Sequence, residues 1–494
     1  MVSDFHLKRS TTVNKGVYGE VAFAARGAAA SSGCRCCRCD TPFAIKASPF
    51  CGERKGIADS IKAGVHVKLP GVYGTDHQQR IYREAVLLRY FSLAPHPNLV
   101  RLLDLRCHLR EPARSEGGVC LVMENAGTSV HTLMRANPGT AAAERPTMGS
   151  VLREIPESGL VLPLGEVRDL CWQLLQGLRY IHEAGFMHRD IKSVNVLLRE
   201  LAGCGGGGGG AAAGGPPPPP RKWQLKLADF GMSRSTKKEG PAASADAPLA
   251  HATSLTANIL TPTFKPLEIV DGDGRVNYDG HKVDVFSAAL VIAELFMLLG
   301  PDSPDRARLR HGLLNPMRVL PERPESPWAA SVQIECILRV MGRPSDLELS
   351  WLKEESDQRK GHLSLYERVV DTVQRLWGGG GGGGGGGAHA PRLAEFLPHA
   401  PAEGLDLLRF MMRIRPSDRA SVQQALAHPF FRELREGPHG RAYEAEEAFT
   451  GRAAGRVGEP KELHADEFAG ELEEGFLKQK MREETDWWKK HHTY

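Results

Sequence analysis

The chain has 494 residues, of which 41% are apolar and 25% charged, so it can bury a sizeable core and general disorder is excluded. Its 63 basic and 59 acidic residues leave a formal net charge of +4, too balanced to point to a nucleic-acid groove or an anionic membrane surface. The first residues, MVSDFHLKRSTT, lack the apolar core of a signal peptide, and the longest apolar run, Ala288 to Leu299, is too short for a bilayer and is interrupted by Glu294. An intracellular protein of the cytoplasm or nucleus is expected, without nucleic-acid or membrane partners, and with its ten cysteines as reduced thiols.

In chain order, VNKGVYGEV (13–21) is a glycine-containing turn between apolar residues, and FAIK ends on Lys46. Between them, 27–40 reads as an insertion carrying GCRCCRCD, whose cysteine spacing is tighter than the two-residue gaps of zinc knuckles. A second insertion, 51–76, precedes RIYREAVLLRY, where Ile81, Ala85 and Leu88 recur at helical spacing around Glu84. From Val167 onward, Leu170, Leu174, Leu178 and Ile181 predict an amphipathic helix ending just before Gly185, which feeds into FMHRDIKSVNVLL. A third insertion, 204–220, contains GGGGGG and PPPPP; WQLKLADFG after it alternates like a half-buried strand and breaks at Gly231.

Val283 to Leu299 is apolar all round and predicts a core helix buried on every side. The ten glycines of 378–387 form a fourth insertion, since polyglycine buries nothing to offset its ordering entropy. Ser421 with Gln424 three residues on is a capping box opening a short helix. The charged tail, 432–494, is expected as a loosely docked helix in which Phe468, Leu472, Phe476 and Leu477 line one face, with Trp487 and Trp488 as an anchor.

Phosphoryl transfer from ATP needs phosphate clamps, Mg²⁺ ligands and a carboxylate beside the attacking hydroxyl. HRDIKSVN, ADFG, FAIK and the helix of Glu84, in that order, resemble the signature set of a eukaryotic protein kinase. The resemblance implies an α+β bilobal fold over residues 5–431, with a small β-rich N-lobe at about 5–125 and a larger helical C-lobe at about 126–431. It implies that Asp190 accepts the substrate hydroxyl's proton, that Lys192 steadies the phosphoryl group, and that Asn195 and Asp229 bind Mg²⁺. Lys46 would pair the nucleotide's phosphates and Glu84 would pair Lys46.

By the same resemblance Gly16, Gly19 and Val21 belong to the phosphate-covering loop, with Asn14 in place of its first glycine. Met123 would guard the back pocket, the backbone of Glu124 and Ala126 would meet adenine, and Val13, Val21, Ala44 and Leu197 would sandwich it; Ser129 takes the ribose position.

VQIECILRVMGRPSDLELSWL and LLRFMMRIRPSDRASVQQALAHPFF resemble the extra helical segment and the C-terminal signature of the CMGC group, which contains cyclin-dependent and MAP kinases. Lys192 and Thr261 fit its serine/threonine pattern, so protein Ser and Thr hydroxyls are the expected acceptors. TPTFKPLE lies over the close of the activation segment and sets Glu268 to pair with Arg419. Thr256 stands where relatives carry an activating phosphate, to be gathered by Arg189 after modification by an upstream kinase, and Tyr18 matches an inhibitory glycine-loop tyrosine. No cyclin-binding helix sequence is present, so a cyclin-like activator is not expected. The alternative reading is a pseudokinase or scaffold with weakened nucleotide binding, suggested by Asn14, Lys265 and Leu267.

Overall fold

The computed structural model describes residues 5–16, 19–26, 43–51, 75–108, 117–135, 161–201, 222–236, 255–256, 261–270, 275–276, 278–300, 312–320, most of 322–330, 331–357, 365–378, 392–456 and 474–491. The expected insertions at 27–40 and 204–220 and the position of Tyr18 lie outside them. Of the other two insertions, Cys51 closes a strand, Thr75 and Asp76 open a helix, and Gly378 ends the turn after one.

An antiparallel five-stranded sheet in the order β1-β2-β3-β5-β4 forms the first lobe, from β1 (Phe5–Gly16), β2 (Gly19–Arg26), β3 (Phe43–Cys51), β4 (Leu102–His108) and β5 (Gly117–Met123). Helix α1 (Thr75–Leu93) packs against it. β1 turns into β2 with Gly16 opposite Gly19, and β2 sets Val21 opposite Lys46. β3 in turn sets Ala44 opposite Met123. Side chains alternate along a strand, so Ala44 and Lys46 share one face. α1 has almost no exposed face: residues 78–91 are buried apart from Arg80, Arg83, Glu84 and Arg89 included.

The segment 94–101 stitches the lobes together. Val100 N–H donates to Leu227 O at 2.9 Å and Leu227 N–H to Asn98 O at 2.8 Å. Lys226 forms a 2.8 Å ion pair with Glu124 at the passage between lobes. That passage continues through β6 (Thr128–Ser129), which joins β8 (Val196–Glu200) and β9 (Trp223–Leu227) in a small sheet, and α2 (Val130–Arg135). Gly127 is required there: at φ 88°, an added Cβ would lie 2.0 Å from Leu198 O.

In the second lobe, α3 (Leu164–Glu183) ends at Ala184 before Gly185, whose φ is 85°. The short pair β7 (Phe186–Met187) and β10 (Arg234–Ser235) frames the start of the catalytic-loop sequence, and β11 (Leu255–Thr256) pairs with β12 (Arg275–Val276) beyond α4 (Leu267–Val270). The apolar helix expected over 283–299 is α5 (Gly280–Phe296); it starts earlier because the Asp279 side chain caps it by accepting the Lys282 N–H, and it closes at Met297. After α5 follow α6 (Pro316–Val319), α7 (Ala330–Met341), α8 (Asp346–Asp357), α9 (Leu365–Trp377), α10 (Leu393–Phe396), α11 (Ala402–Met411), which packs on α5, and α12 (Val422–Leu426), the last opened by the reciprocal Ser421/Gln424 capping box. The main core runs continuously from α1 through α3 and α5 to Phe430 and Phe431.

The tail is more firmly held than its composition suggests. After α13 (Arg432–Glu436), α14 (Gly440–Arg456) lies along α3, with Tyr443 Oη donating to Asp169 at 2.9 Å and Trp172 Nε1 to Glu446 at 3.2 Å. α15 (Glu474–His491) packs on α1 and β4 with Met481 and Trp488 buried. Trp487, expected with Trp488 as an anchor, packs against the same core and lies under the Arg89 guanidinium at 4.3 Å. Phe468 and Leu472 lie outside the described residues, as do the side chains of Phe476 and Leu477.

Glu268 and Arg419 meet in a bidentate pair at 2.8 and 3.2 Å, their side chains 4% and 0% exposed. The guanidinium also donates to Lys282 O and stacks over the Phe286 ring at 5.0 Å. Removing one member of a buried pair strands the other. Glu268→Ala is expected to destabilise the protein by about 3–5 kcal/mol, measured as a fall in the urea midpoint at unchanged slope.

Candidate active site

The site lies where the two lobes face each other. From the first lobe, Lys46 Nζ on β3 donates to both carboxylate oxygens of Glu84 on α1, at 2.8 and 2.7 Å, and lies 3.3 Å from Asp229 Oδ1. Burial works against this ammonium, but the charges of Asp229 and Glu84 outweigh it and hold Lys46 above its ordinary value. Asp229 follows β9 with φ 68°, a left-handed conformation uncommon outside glycine. Its side chain is 36% exposed, and although burial pushes its carboxyl upward, Lys46, Lys192 and His188 hold it below the usual range. Arg83, beside Glu84, donates to Gly231 O at 2.6 Å, so α1 grips the segment after Asp229 at a second point.

From the second lobe come Asp190, Lys192 and Asn195. Asp190 Oδ2 is 2.8 Å from Lys192 Nζ and accepts from Asn195 Nδ2 at 3.0 Å; the same amide nitrogen donates to Asp190 O at 2.9 Å. Both bonds use the Asn195 nitrogen and leave its amide oxygen out of the contact with Asp190. Burial raises the Asp190 carboxyl, with Lys192 opposing and Asp229 adding to the rise. Asp229 feels the charge of Lys192, and Asp190 that of Asp229, so both halves share one electrostatic site.

Asp284, on α5 and fully buried, positions this loop: it accepts the backbone N–H groups of His188 and Arg189 at 2.7 Å each, and His182 Nε2 lies 3.0 Å away. His182 stacks on His281 at 4.0 Å, whose Nε2 donates to Phe186 O. Burial lowers His182 to about 3 and His281 to about 4, so both rings stay neutral around the carboxylate. Asp284 escaped the sequence reading, yet an acid in VDVFSAAL, an otherwise apolar stretch, signals a buried group with fixed partners. Arg189, with φ 65°, is buried beside Tyr278 and Asp284.

The remaining expected residues fall into three groups. Gly16, Gly19, Val13 and Val21 lie on β1 and β2, with Val21 opposite Lys46 and Asn14 opposite Val21. Ala44, Met123, Ala126 and Leu197 line the join between lobes, where Ser129 pairs with Leu197 and Ala44 with Met123. Glu124 N–H donates to Arg101 O, and the Ser129 hydroxyl is engaged as the cap of α2, accepting the Thr132 N–H. Thr256 is described through its backbone alone, opposite Arg275.

Ser193 and Glu294 also escaped notice as site groups. Glu294 on α5 accepts a hydrogen bond from the side chain of Ser193, which follows Lys192 in sequence. Burial pushes Glu294 up to about 7 against that bond and the charge of Arg318. A carboxyl raised on folding binds its proton more tightly in the folded state, so its stabilising contribution is complete in acid and is lost as pH rises through about 7. Glu294→Gln is expected to flatten the decline of melting temperature between about pH 5 and pH 8, as followed by calorimetry.

The model of the family described as "Protein kinase domain" matches residues 65–431, well over half of the chain. The chain is 24% identical over 365 residues to extracellular signal-regulated kinase 2 of Dictyostelium discoideum, covering 73% of this chain and 70% of that protein. It is 27% identical over 355 residues to mitogen-activated protein kinase 15 of Rattus norvegicus and 28% identical over 356 residues to cyclin-dependent kinase 12 of Caenorhabditis elegans. Each of those alignments takes in 71% of this chain but only 46% and 34% of the relative. With the matched family, these relatives and the charged cleft between two lobes in agreement, the chain belongs to the protein kinase family, as a serine/threonine kinase of the CMGC group.

Proposed function

We propose that the chain transfers the γ-phosphate of ATP to serine and threonine hydroxyls of protein substrates, with Asp190 as the group that accepts the hydroxyl proton. The observation that carries the reading is the ion triad of Lys46, Glu84 and Asp229 facing the Asp190, Lys192 and Asn195 cluster across one cleft. Such chemistry depends on positioning and on fixed charges rather than on covalent steps. In this reading Glu84 fixes the Lys46 ammonium, which orients the phosphates, and Lys192 neutralises charge on the phosphoryl group in flight. Asn195 and Asp229 offer oxygen ligands for Mg²⁺, which when bound neutralises the phosphates. Met123, Ala44 and Leu197 provide apolar walls for the base, and the Glu124 carbonyl a polar contact. The domain limits are read as a kinase unit over about 5–431 followed by the charged tail 432–494, acting where ATP is abundant, in cytoplasm or nucleus. A formed Lys46–Glu84 pair speaks for an active kinase over a scaffold, since a lost nucleotide site gives no reason to keep a buried ammonium clamped.

Asp190→Ala is expected to lower kcat by a factor of about 10² or more at similar ATP KM, because general-base positioning is a transition-state effect. Transfer of labelled phosphate to a generic basic protein, compared with the parent chain, measures it; equal rates would overturn the reading. Because burial raises the Asp190 carboxyl, activity should fall on acidification earlier than an ordinary carboxylate would dictate.

An upstream kinase would act on Thr256. Arg189 is buried with Arg80 as a neighbouring positive charge, and a doubly charged phosphate between cations gains charge-assisted hydrogen bonds. Phosphorylation of Thr256 is expected to raise kcat, as followed by mass spectrometry alongside activity, and a Thr256→Val chain should lose that increment.

A further inference from the structure

We infer that Glu294 on α5 is a positioning residue for the turn from Lys192 to Asn195, acting on both through the Ser193 hydroxyl. The inference rests on the roles given to Lys192 and Asn195 above, and adds to them a group that touches neither nucleotide nor protein substrate.

The loop from His188 to Asn195 hangs from fixed points. At its start His188 and Arg189 donate their N–H groups to Asp284, and Ser233 Oγ donates to His188 O at 3.3 Å. At its end Ala228 N–H donates to Asn195 O at 3.0 Å, where β8 begins. Between these points Lys192 O accepts the Asn195 N–H at 2.9 Å and closes a turn whose inner residues are Ser193 and Val194. Val194 is 47% exposed, so the attachment of the turn to the body of the lobe falls to Ser193, which is 1% exposed. Ser193 O accepts the His131 N–H of α2 at 3.2 Å, and the Ser193 hydroxyl donates to Glu294.

The surroundings of Glu294 aim it at that hydroxyl. Its Oε2 has no hydrogen-bond donor among the described residues, so Oε1 is the oxygen that takes the Ser193 bond. Residue 312 is a glycine, and a Cβ there would stand 2.6 Å from the same Oε1. Arg318 on α6 lends its charge from the other side, while its own donors reach Met297 Sδ at 3.1 Å and Phe396 O. A buried carboxyl with one oxygen unpaired is costly, and an apolar residue would suit the rest of α5 better. Stability alone therefore does not account for the acid. What it provides is a fixed acceptor under the turn that carries Lys192 and Asn195, whose nitrogen atoms both meet Asp190.

The test uses the full chain with Ser193→Ala, Gly312→Ala and Glu294→Gln. Ser193→Ala is expected to lower kcat about tenfold, the effect of one hydrogen bond to a charged group. ATP KM should stay near that of the parent, because the base is held between the lobes and not by this turn. The variant should also need more Mg²⁺ for half-maximal rate, through Asn195, and show faster amide exchange over residues 190–196. Gly312→Ala crowds Glu294 from the opposite side and should reproduce the fall in kcat, yet add nothing in a chain that already carries Ser193→Ala. Glu294→Gln retains an acceptor, so its kcat should lie between those of Ser193→Ala and the parent. A Ser193→Ala chain that keeps the parent's kcat and amide exchange, or that only melts earlier, would overturn the inference. Should Gly312→Ala not fold, the other two variants decide, and a loss in Glu294→Gln without one in Ser193→Ala also overturns it. Asp190→Ala separates the two readings: full activity there sinks the site assignment, whereas an inactive Asp190→Ala beside an unimpaired Ser193→Ala sinks the positioning role alone.

Discussion

A buried ammonium is the constraint from which the rest follows. Lys46 sits inside the protein between two carboxylates, one on a helix 38 residues on and one 183 residues on. An unpaired charge there would cost several kcal/mol, so the fold must deliver both partners together or not form in this shape. Three independent pieces of chain are thereby tied to one another: β3, α1 and the turn after β9. Each has its own backing. The sheet register fixes Lys46, α15 and the core fix α1, and the Asn98 and Leu227 backbone bonds fix β9.

The opposite side of the cleft is built on a different principle. Its charges do not bridge lobes; they are packed within one loop and referred to a single helix. α5 runs through the second lobe without an exposed face, and the two acids within it, Asp284 and Glu294, both turn toward the catalytic-loop sequence. An apolar helix with two acids is poor composition for a core and good composition for a bracket, since each acid must find a fixed donor. Asp284 finds two backbone N–H groups and Glu294 finds the Ser193 hydroxyl.

What could be read in the sequence was whatever is written locally. The HRD and DFG runs are contiguous stretches that the structure places in the loops after β7 and β9, and the Ser421/Gln424 box and the α3 periodicity are patterns confined to single helices. Lys46 and Glu84 required family order as well, because nothing in FAIK or RIYREAV says which way either side chain turns. Partners whose meaning lies far away were missed. Asp284 and Glu294 sit in a segment whose loudest signal is its hydropathy, and Arg83 and Arg89 look like surface cations until Gly231 and Glu484 are brought alongside. The tail was underread for the same reason: its apolar residues are sparse, and their weight comes from the contact of α15 with α1 and β4, which leaves Met481 and Trp488 buried.

Two non-glycine residues with left-handed backbones, Arg189 and Asp229, stand next to the groups assigned to catalysis. Each such conformation costs about 1–3 kcal/mol, so something must hold it. For Arg189 the holder is visible: its N–H and that of His188 both donate to a buried carboxylate, and hydrogen bonds to a charged group contribute about 1.5–3 kcal/mol each. For Asp229 the hold is the Lys46 charge in front and the Arg83 grip on Gly231 behind. The strain is therefore not spread over the site but pinned at two residues, each by a charge from another element. If α1 moved outward, Asp229 would lose the Arg83 grip on Gly231 but keep the charge of Lys46 on β3, while Arg189 kept its own holder entirely. The two halves of the site therefore differ in what a displacement of α1 would release: the Lys46–Glu84 pair and the Arg83 contact on one side, nothing on the other.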